Sequence, residues 1–179
     1  MTPAVDLSDT YRGAYAFGVG ALDNYVHNVV REQVMKILSG SRNAPRTAAS
    51  FRIPSWLHQD LTVITSRSEA LLSADRYVQE TLGRQTFQKS GDIADAIRLV
   101  SSQAFWLTQY GDTNSAKYAK AQLDLIVDRR NKIVHEADID PSTLEKWPID
   151  NSMVLNALDY IARVADKIEL HLELDEPST

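Results

Sequence analysis

The chain has 179 residues, of which 44% are hydrophobic, enough for one domain with its own core. It contains no cysteine, which excludes disulfides and thiolate metal ligands. A net charge of −5 argues against a protein that coats nucleic acid non-specifically, because phosphate contacts need clustered Lys and Arg.

The first half of the chain is predicted to be mainly helical. Apolar residues at helical spacing predict a first helix over about Ser8–Leu38. The non-periodic stretch Ser39–Pro54 contains glycine and prolines and reads as a loop. Helical pattern resumes around Ser55 and reaches Phe87, with a break allowed within it. After a second break over Lys89–Asp92, Asp92 is a plausible N-cap for a helix that runs to Gly111.

The second half predicts two more helices. One begins near Asp112 or Asn114 and ends at about Ala137, and we call it the motif helix. A connector follows, with prolines as stops, and Asp150 caps the last helix. Strand-like alternation is lacking. We therefore predict one all-α domain, an up-and-down bundle of about five helices, with a core over about 8–173 and a frayed tail at 174–179.

Arg130 is the unusual residue of the motif helix. At about 100° per residue, the apolar side chains of this helix share an arc of about 120°. Arg130 lies almost at the centre of that arc, where a charge must be paired or solvated. A structural ion pair and a functional site both remain open explanations, because strongly perturbed charges cluster at sites.

A second, polar arc adjoins the apolar one. Asp124, Asp128, Asn131, His135 and Asp138 lie within about 80° of one another on this arc. Either Asp128 or Asn131 is therefore placed to orient the imidazole of His135 and fix its tautomer.

Arg130 and His135 point about 140° apart on one straight helix. Either the long arginine side chain reaches round the helix, or a second copy about a two-fold axis brings the two types of residue together. Histidine moves protons near neutral pH, and arginine grips phosphate oxygens. The pair suits cleavage of RNA through attack of its 2′-hydroxyl, with the arginine stabilising charge at phosphorus.

Three segments of the chain resemble one family. RNKIVH, Arg130–His135, is similar to the R-x4–6-H signature of HEPN domains, with a polar residue directly after the arginine. GALDNYVHNVV, QTFQKSGDIADAIRLV and RRNKIVHEADIDP followed by WPID are together similar to the RiboL-PSP branch of these proteins. The three segments span about 20–150, most of the chain.

The resemblance implies a helical bundle that forms a homodimer through the motif helices, with a composite cleft at the two-fold axis. It implies a metal-independent endoribonuclease that leaves a 2′,3′-cyclic phosphate and a 5′-hydroxyl. Many such proteins act as toxins or in prokaryotic defence against phage. The catalytic pair would be Arg130 and His135, with Asn131 as the supporting polar residue. Asp128 is added from the helical stripe.

Two features complete this hypothesis. His135 is followed by Glu136, Ala137 and Asp138, without the tyrosine that a nucleotidyltransferase antitoxin modifies in some HEPN toxins, which argues against that regulation. The RNA path would rest on local basic residues: Arg42, Arg46 and Arg52 on the loop, and Arg129 and Lys132 beside the motif.

The expected partners are RNA, a second copy and an antitoxin or defence-system protein. We expect no metal and no cofactor, since no motif of His, Asp and Glu has metal-ligand spacing. Without a signal-like N-terminus or an apolar run of roughly 18 residues, we expect a soluble cytoplasmic protein. The alternative functions are a catalytically silent module that binds RNA, a nucleotide or a partner, and a bare dimerisation subunit of a defence assembly.

Overall fold

A computed structural model describes residues 6–46 and 66–174. Within these residues the secondary structure consists of helices, and no strand is present apart from one isolated bridge between Ile139 and Lys146. The helices are α1 (Ser8–Ser39), α2 (Arg67–Leu82), α3 (Ser90–Arg98), α4 (Phe105–Tyr110), α5 (Thr113–His135) and α6 (Asn151–Leu174). The predicted all-α, single-domain fold is confirmed, with six helices in the described part instead of about five.

The first and last helices follow the prediction closely. Gly40 caps the C-terminal end of α1; its φ of 79° is left-handed, and its N–H donates to the carbonyls of Ile37 and Lys36. Asp150 caps α6 by accepting a hydrogen bond from the Met153 N–H at 2.9 Å. Helix α6 continues to Leu174, one residue past the predicted core limit, and the rest of the predicted tail lies outside the described residues.

The helix predicted from Ser55 to Phe87 is shorter at its C-terminal end. Residues 47–65 lie outside the described part, and α2 ends at Leu82. Beyond it, the N–H of Phe87 donates to Asp23 Oδ1 of α1 at 2.6 Å, and that tertiary bond replaces a helical one. The apolar periodicity did not reveal this hydrogen bond, because periodicity reports burial and not the partner of a backbone N–H.

The helix predicted from Asp92 to Gly111 was wrong at its start and in its middle. It begins at Ser90, because the N–H and hydroxyl of Ser90 both donate to Asp124 of α5. It breaks after Arg98, giving α3 and α4. In the break, the buried Ser101 hydroxyl lies 3.0 Å from Nε2 of His171 and accepts the N–H of Gln103. A serine that bonds locally and to another helix competes with continued helix.

Helix α1 lies at the centre of the core and packs on α2, α3, α5 and α6. The fully buried side chains come from several helices and include Leu22, Leu82, Ile97, Leu123 and Ile168. Burial of each such side chain contributes about 1.5–3 kcal/mol, so the core fixes the position of α5 against α1. No helix within the described part of the chain is long and apolar enough to cross a membrane.

Candidate active site

The motif lies on the last two turns of α5. Asp112 caps the helix, accepting the N–H groups of Asn114 and Ser115 at 2.8 and 3.0 Å. The helix ends at His135, two residues before the predicted Ala137. Ala137 and Asp138 take left-handed φ values of 53° and 59°, and the N–H of Asp138 bonds to Lys132 O. His135 is therefore exposed at the C-terminal end of α5.

Arg130 is half-buried and has no carboxylate within ion-pair distance in the described part of the chain. One of its terminal nitrogens donates to Asn131 Oδ1 at 3.0 Å. Its Nε is buried and has no hydrogen-bond partner among the described residues. Arg130 is thus at the edge of the apolar face, not in the core as the helical wheel predicted.

The guanidinium lines a groove of about 580 Å³ between α5 and α1. The α1 side of this groove, which we call the Arg130 groove, is made of small residues and one large aromatic: Gly13, Ala16, Phe17, Gly20 and Ala21. Small side chains leave room for an oxyanion to approach the guanidinium, which suits an arginine that stabilises charge at phosphorus.

The predicted polar stripe does not form one cluster. His135 is exposed, and no hydrogen bond joins its ring to the other described residues. Asp128 instead pairs with Lys89 at 2.8 Å, which raises the pKa of that lysine. Asn131 binds Arg130, so its supporting contact is with the arginine and not with the histidine.

Two other residues of the stripe, Asp124 and Asp138, bind partners on other parts of the fold. Asp124 is used by Ser90 at the start of α3. Asp138 is completely buried and lies beyond the end of the helix, so the helical wheel does not apply to it. The stripe failed as a cluster because neighbouring elements supplied closer partners for each carboxylate.

Asp138 is the centre of a cluster that the sequence did not reveal. Its Oδ2 accepts Arg12 Nε at 2.9 Å and an Arg129 nitrogen at 2.8 Å. The same arginines also donate to the carbonyls of Trp147 and Pro148. We call Arg12, Arg129 and Asp138 the aspartate cluster; it ties α1, the end of α5 and the connector together. The sequence did not single out Asp138, because Glu136 and Asp140 lie beside it at the end of the motif helix.

The residues predicted to bind RNA separate into four groups. Arg42 is buried and donates to Gln33, Leu172 O and Val100 O, so it has no surface for RNA. Arg129 is held by the aspartate cluster. Lys132 and Arg46 are exposed, with Lys132 5.7 Å from the centre of the Trp147 ring. Arg52 lies outside the described residues.

Burial raises the pKa of Tyr15, next to the aspartate cluster, to about 12. This phenol therefore stays neutral at physiological pH. Within residues 6–46 and 66–174, no group of three or more His, Asp or Glu side chains could hold a metal ion.

A helical domain with R-x4-H at the end of a long helix, and the arginine in an interhelical groove, has the features of the HEPN class. The family model described as RiboL-PSP-HEPN matches residues 5–174, nearly the whole chain. The chain belongs to this family, which confirms the resemblance of the three sequence segments. No curated protein and no solved structure matches it.

Proposed function

We propose that this chain is a metal-independent endoribonuclease that acts as a homodimer and serves as a toxin or phage-defence effector. The observation that carries the proposal is the environment of the Arg130 side chain. Its guanidinium lacks a carboxylate partner among the described residues and lines a groove on the same helix as the exposed His135. Membership of a HEPN family supports an RNase assignment for such a pair.

In the proposed reaction the 2′-oxygen of RNA attacks the adjacent phosphorus and the bond to the 5′-oxygen breaks. His135 moves the proton that must leave the 2′-hydroxyl or reach the departing 5′-oxygen. Arg130 stabilises the negative charge on the phosphoryl oxygens, and Asn131 holds the guanidinium. The products are a 2′,3′-cyclic phosphate and a 5′-hydroxyl.

The homodimer is supported by the surface around Arg130. Phe17, in the wall of the Arg130 groove, is 81% exposed. Val134, one turn after Arg130 on α5, is 49% exposed. Exposed apolar residues next to a functional groove favour contact with another chain. We propose that the partner is a second copy of this chain, so that His135 of one copy works with Arg130 of the other.

Purified wild-type protein, His135→Ala and Arg130→Ala test the catalytic part in the presence of EDTA. We expect wild type to cut RNA, and His135→Ala to be slower by about 10²–10⁴-fold, the range for loss of an acid–base residue. Mapping of the RNA ends checks for the cyclic phosphate. Glu136→Ala, an exposed neighbour, is the control and should cut normally.

Retained cleavage by His135→Ala would contradict the proposal. Intact RNA after incubation with folded wild type, together with normal growth of cells expressing it, would favour the catalytically silent binding module.

A mixing experiment tests the two-chain site. After exchange of subunits between Arg130→Ala and His135→Ala proteins, half of the dimers are mixed and each holds one intact site. We therefore expect about a quarter of wild-type activity from two inactive proteins. If nothing is recovered although mixed dimers form, the arginine and histidine do not act across the interface.

Exposed Lys132 and Arg46 remain as proposed RNA contacts, as does Arg52. Arg42 and Arg129 are withdrawn from that role because the fold already uses their guanidinium groups. An antitoxin or defence-system partner that restrains the enzyme remains part of the proposal.

A further inference from the structure

A pocket of about 410 Å³ lies between α3, α4 and the first part of α5, and we call it the basic pocket. Arg98 of α3 and Lys117 and Lys120 of α5 line it, and no acidic side chain of the described residues does. This local positive charge contrasts with the net charge of −5 of the whole chain. Lys120 precedes Arg130 on α5 by about 15 Å along the helix axis, so the basic pocket is separate from the Arg130 groove.

The three cations are exposed and are little used by the fold. Lys117 and Lys120 make no ion pair in the described part of the chain. Arg98 has one contact, with exposed Asp95 at 3.4 Å, and such a surface pair contributes little. Asp112, at the start of α5, is engaged as the N-cap by two backbone N–H groups. The cations are therefore available to carboxylates of another molecule.

The bottom of the basic pocket is apolar. Phe105 and Trp106 line it and are only 2% and 3% exposed. At the rim, Leu107 is 48% exposed. The space between the helices is bordered by three small residues, Ala94, Ala104 and Ala116. A large apolar side chain left half in solvent beside a concave apolar surface favours contact with an apolar group of another molecule.

The burial of the two rings indicates which kind of partner fits. Nucleic-acid bases bind proteins by stacking on exposed rings, but Trp106 is buried and its indole N–H donates to Ser90 O at 2.8 Å. An aliphatic side chain needs only apolar volume, which the pocket supplies. Carboxylates on either side of that side chain would then lie near the cations of the rim.

We propose that the basic pocket docks an acidic segment of a partner protein. One large aliphatic side chain of that segment enters the pocket, and flanking carboxylates bind Arg98, Lys117 and Lys120. Charge complementarity steers the segment to the pocket, and burial of apolar surface holds it there. The proposal goes beyond RNA cleavage and is independent of it, because docking requires neither Arg130 nor His135.

Fluorescence anisotropy with labelled peptides tests the proposal on the full chain carrying His135→Ala, so that RNA is not cut. The probe is a peptide with one leucine between two pairs of glutamates. Companion peptides replace the leucine by serine or the glutamates by glutamines, and a short single-stranded RNA is the fourth probe. At roughly 0.15 M salt, which screens distant charges, we expect the acidic leucine peptide to bind more tightly than either companion.

Substitutions in the basic pocket should weaken binding of the acidic leucine peptide. Lys117→Gln combined with Lys120→Gln should weaken it by about five-fold or more, since one exposed ion pair contributes up to about five-fold. Leu107→Ala should weaken it by about three-fold or more, because apolar contact is lost. Arg76→Gln combined with Arg84→Gln is the matched control. It removes two exposed arginines outside the pocket and should bind like the parent.

Weaker binding in both pocket variants, with the leucine peptide preferred over the serine peptide, supports the proposal. Equal binding of these two peptides would show general charge attraction and overturn it. An equal loss in the arginine control also overturns it, as does no binding of the leucine peptide at millimolar concentration. Loss of RNA affinity in the double lysine variant, with peptide binding unchanged, would make these lysines RNA contacts and would likewise overturn the proposal.

Discussion

Arg129 and Arg130 are neighbours in the chain, yet α5 turns them towards different environments, about 100° apart. Arg129 donates to the buried carboxylate of Asp138, which also binds Arg12. Arg130 faces the Arg130 groove, with only the Asn131 amide as a described hydrogen-bond partner. The aspartate cluster and the Arg130 groove therefore use the same chemical group in two ways.

The difference shows which arginine is structural. A buried carboxylate paired with two guanidiniums contributes little net free energy to folding. Removing one partner is strongly destabilising, because it leaves a buried charge without compensation. A half-buried guanidinium without a counter-charge lowers stability, and such an arrangement is common where a charge is needed for a ligand. We therefore expect the aspartate cluster to control folding and the Arg130 groove to control activity.

The largest effect should come from Asp138→Asn. Asparagine tolerates the φ of 59° at this position, so the substitution removes the charge with little backbone strain. We expect a loss of about 3 kcal/mol in the free energy of unfolding, because Arg12 and Arg129 lose their shared carboxylate. Denaturant titration measures it.

Asp95→Asn is the control, since Asp95 is exposed and its contact with Arg98 is at 3.4 Å. A stability of Asp138→Asn equal to that of this control would show that the aspartate cluster does not hold the fold.

The two arginines themselves give the most direct test. Arg130→Ala should slow RNA cleavage by about 10²–10³-fold, as expected for a group that stabilises transition-state charge. Its free energy of unfolding should not fall, since no ion pair is lost and a half-buried guanidinium without a counter-charge is removed.

Arg129→Ala should do the reverse. We expect it to lower the free energy of unfolding by about 1–3 kcal/mol, through loss of hydrogen bonds to a charged group, and the folded protein should still cut RNA. RNA-cleavage rates and unfolding curves of the two variants, measured side by side, show which arginine serves activity and which serves stability. An inactive Arg129→Ala protein of normal stability would reverse the assignment.

Tyr15, next to the aspartate cluster, gives a pH-dependent test of burial in this part of the protein. Its folded-state pKa is raised to about 12, so above pH 10 the unfolded chain loses this proton first. The stabilising contribution is complete below the unfolded pKa of about 10 and is lost as pH rises towards 12. Tyr15→Phe should therefore flatten the fall in stability over this range. Identical curves for both proteins would show that Tyr15 ionises normally.

The smallest effect is expected for Asp128→Asn. Asp128 pairs with Lys89 at the surface and not with His135. Because exposed pairs contribute little, we expect cleavage within about two-fold of wild type. A much slower enzyme would restore Asp128 as the residue that orients His135, as the helical stripe first suggested.

Most helices could be predicted because their signals are local. Apolar spacing placed α1, and Asp112 and Asp150 marked the starts of α5 and α6. The break after Arg98 could not be predicted, since it depends on Ser101 meeting His171, 70 residues later. Helical periodicity reports burial and carries no information about a hydrogen bond to a distant residue.

The site was predictable to the same extent. The spacing of Arg130, Asn131 and His135 follows from one helix, but Asn131 binds Arg130 instead of orienting His135 as the helical stripe suggested. Partners contributed by other elements were not visible: Lys89 for Asp128, and Arg12 for Asp138. Arg42, in the most basic predicted loop, became a buried bridge to Leu172 O and Gln33 for the same reason.

The sequence by itself therefore determined the helical class, the family and the residues of the R-x4-H motif, because each depends on spacing within one segment. Only the tertiary structure decided which charged side chains are held in ion pairs within the fold and which remain free to bind a ligand. A carboxylate binds whichever cation the packed helices bring closest, and long-range neighbours are set by the core. Arg129 binds Asp138 and helps to hold the fold together, whereas Arg130 faces a groove lined by small residues of α1.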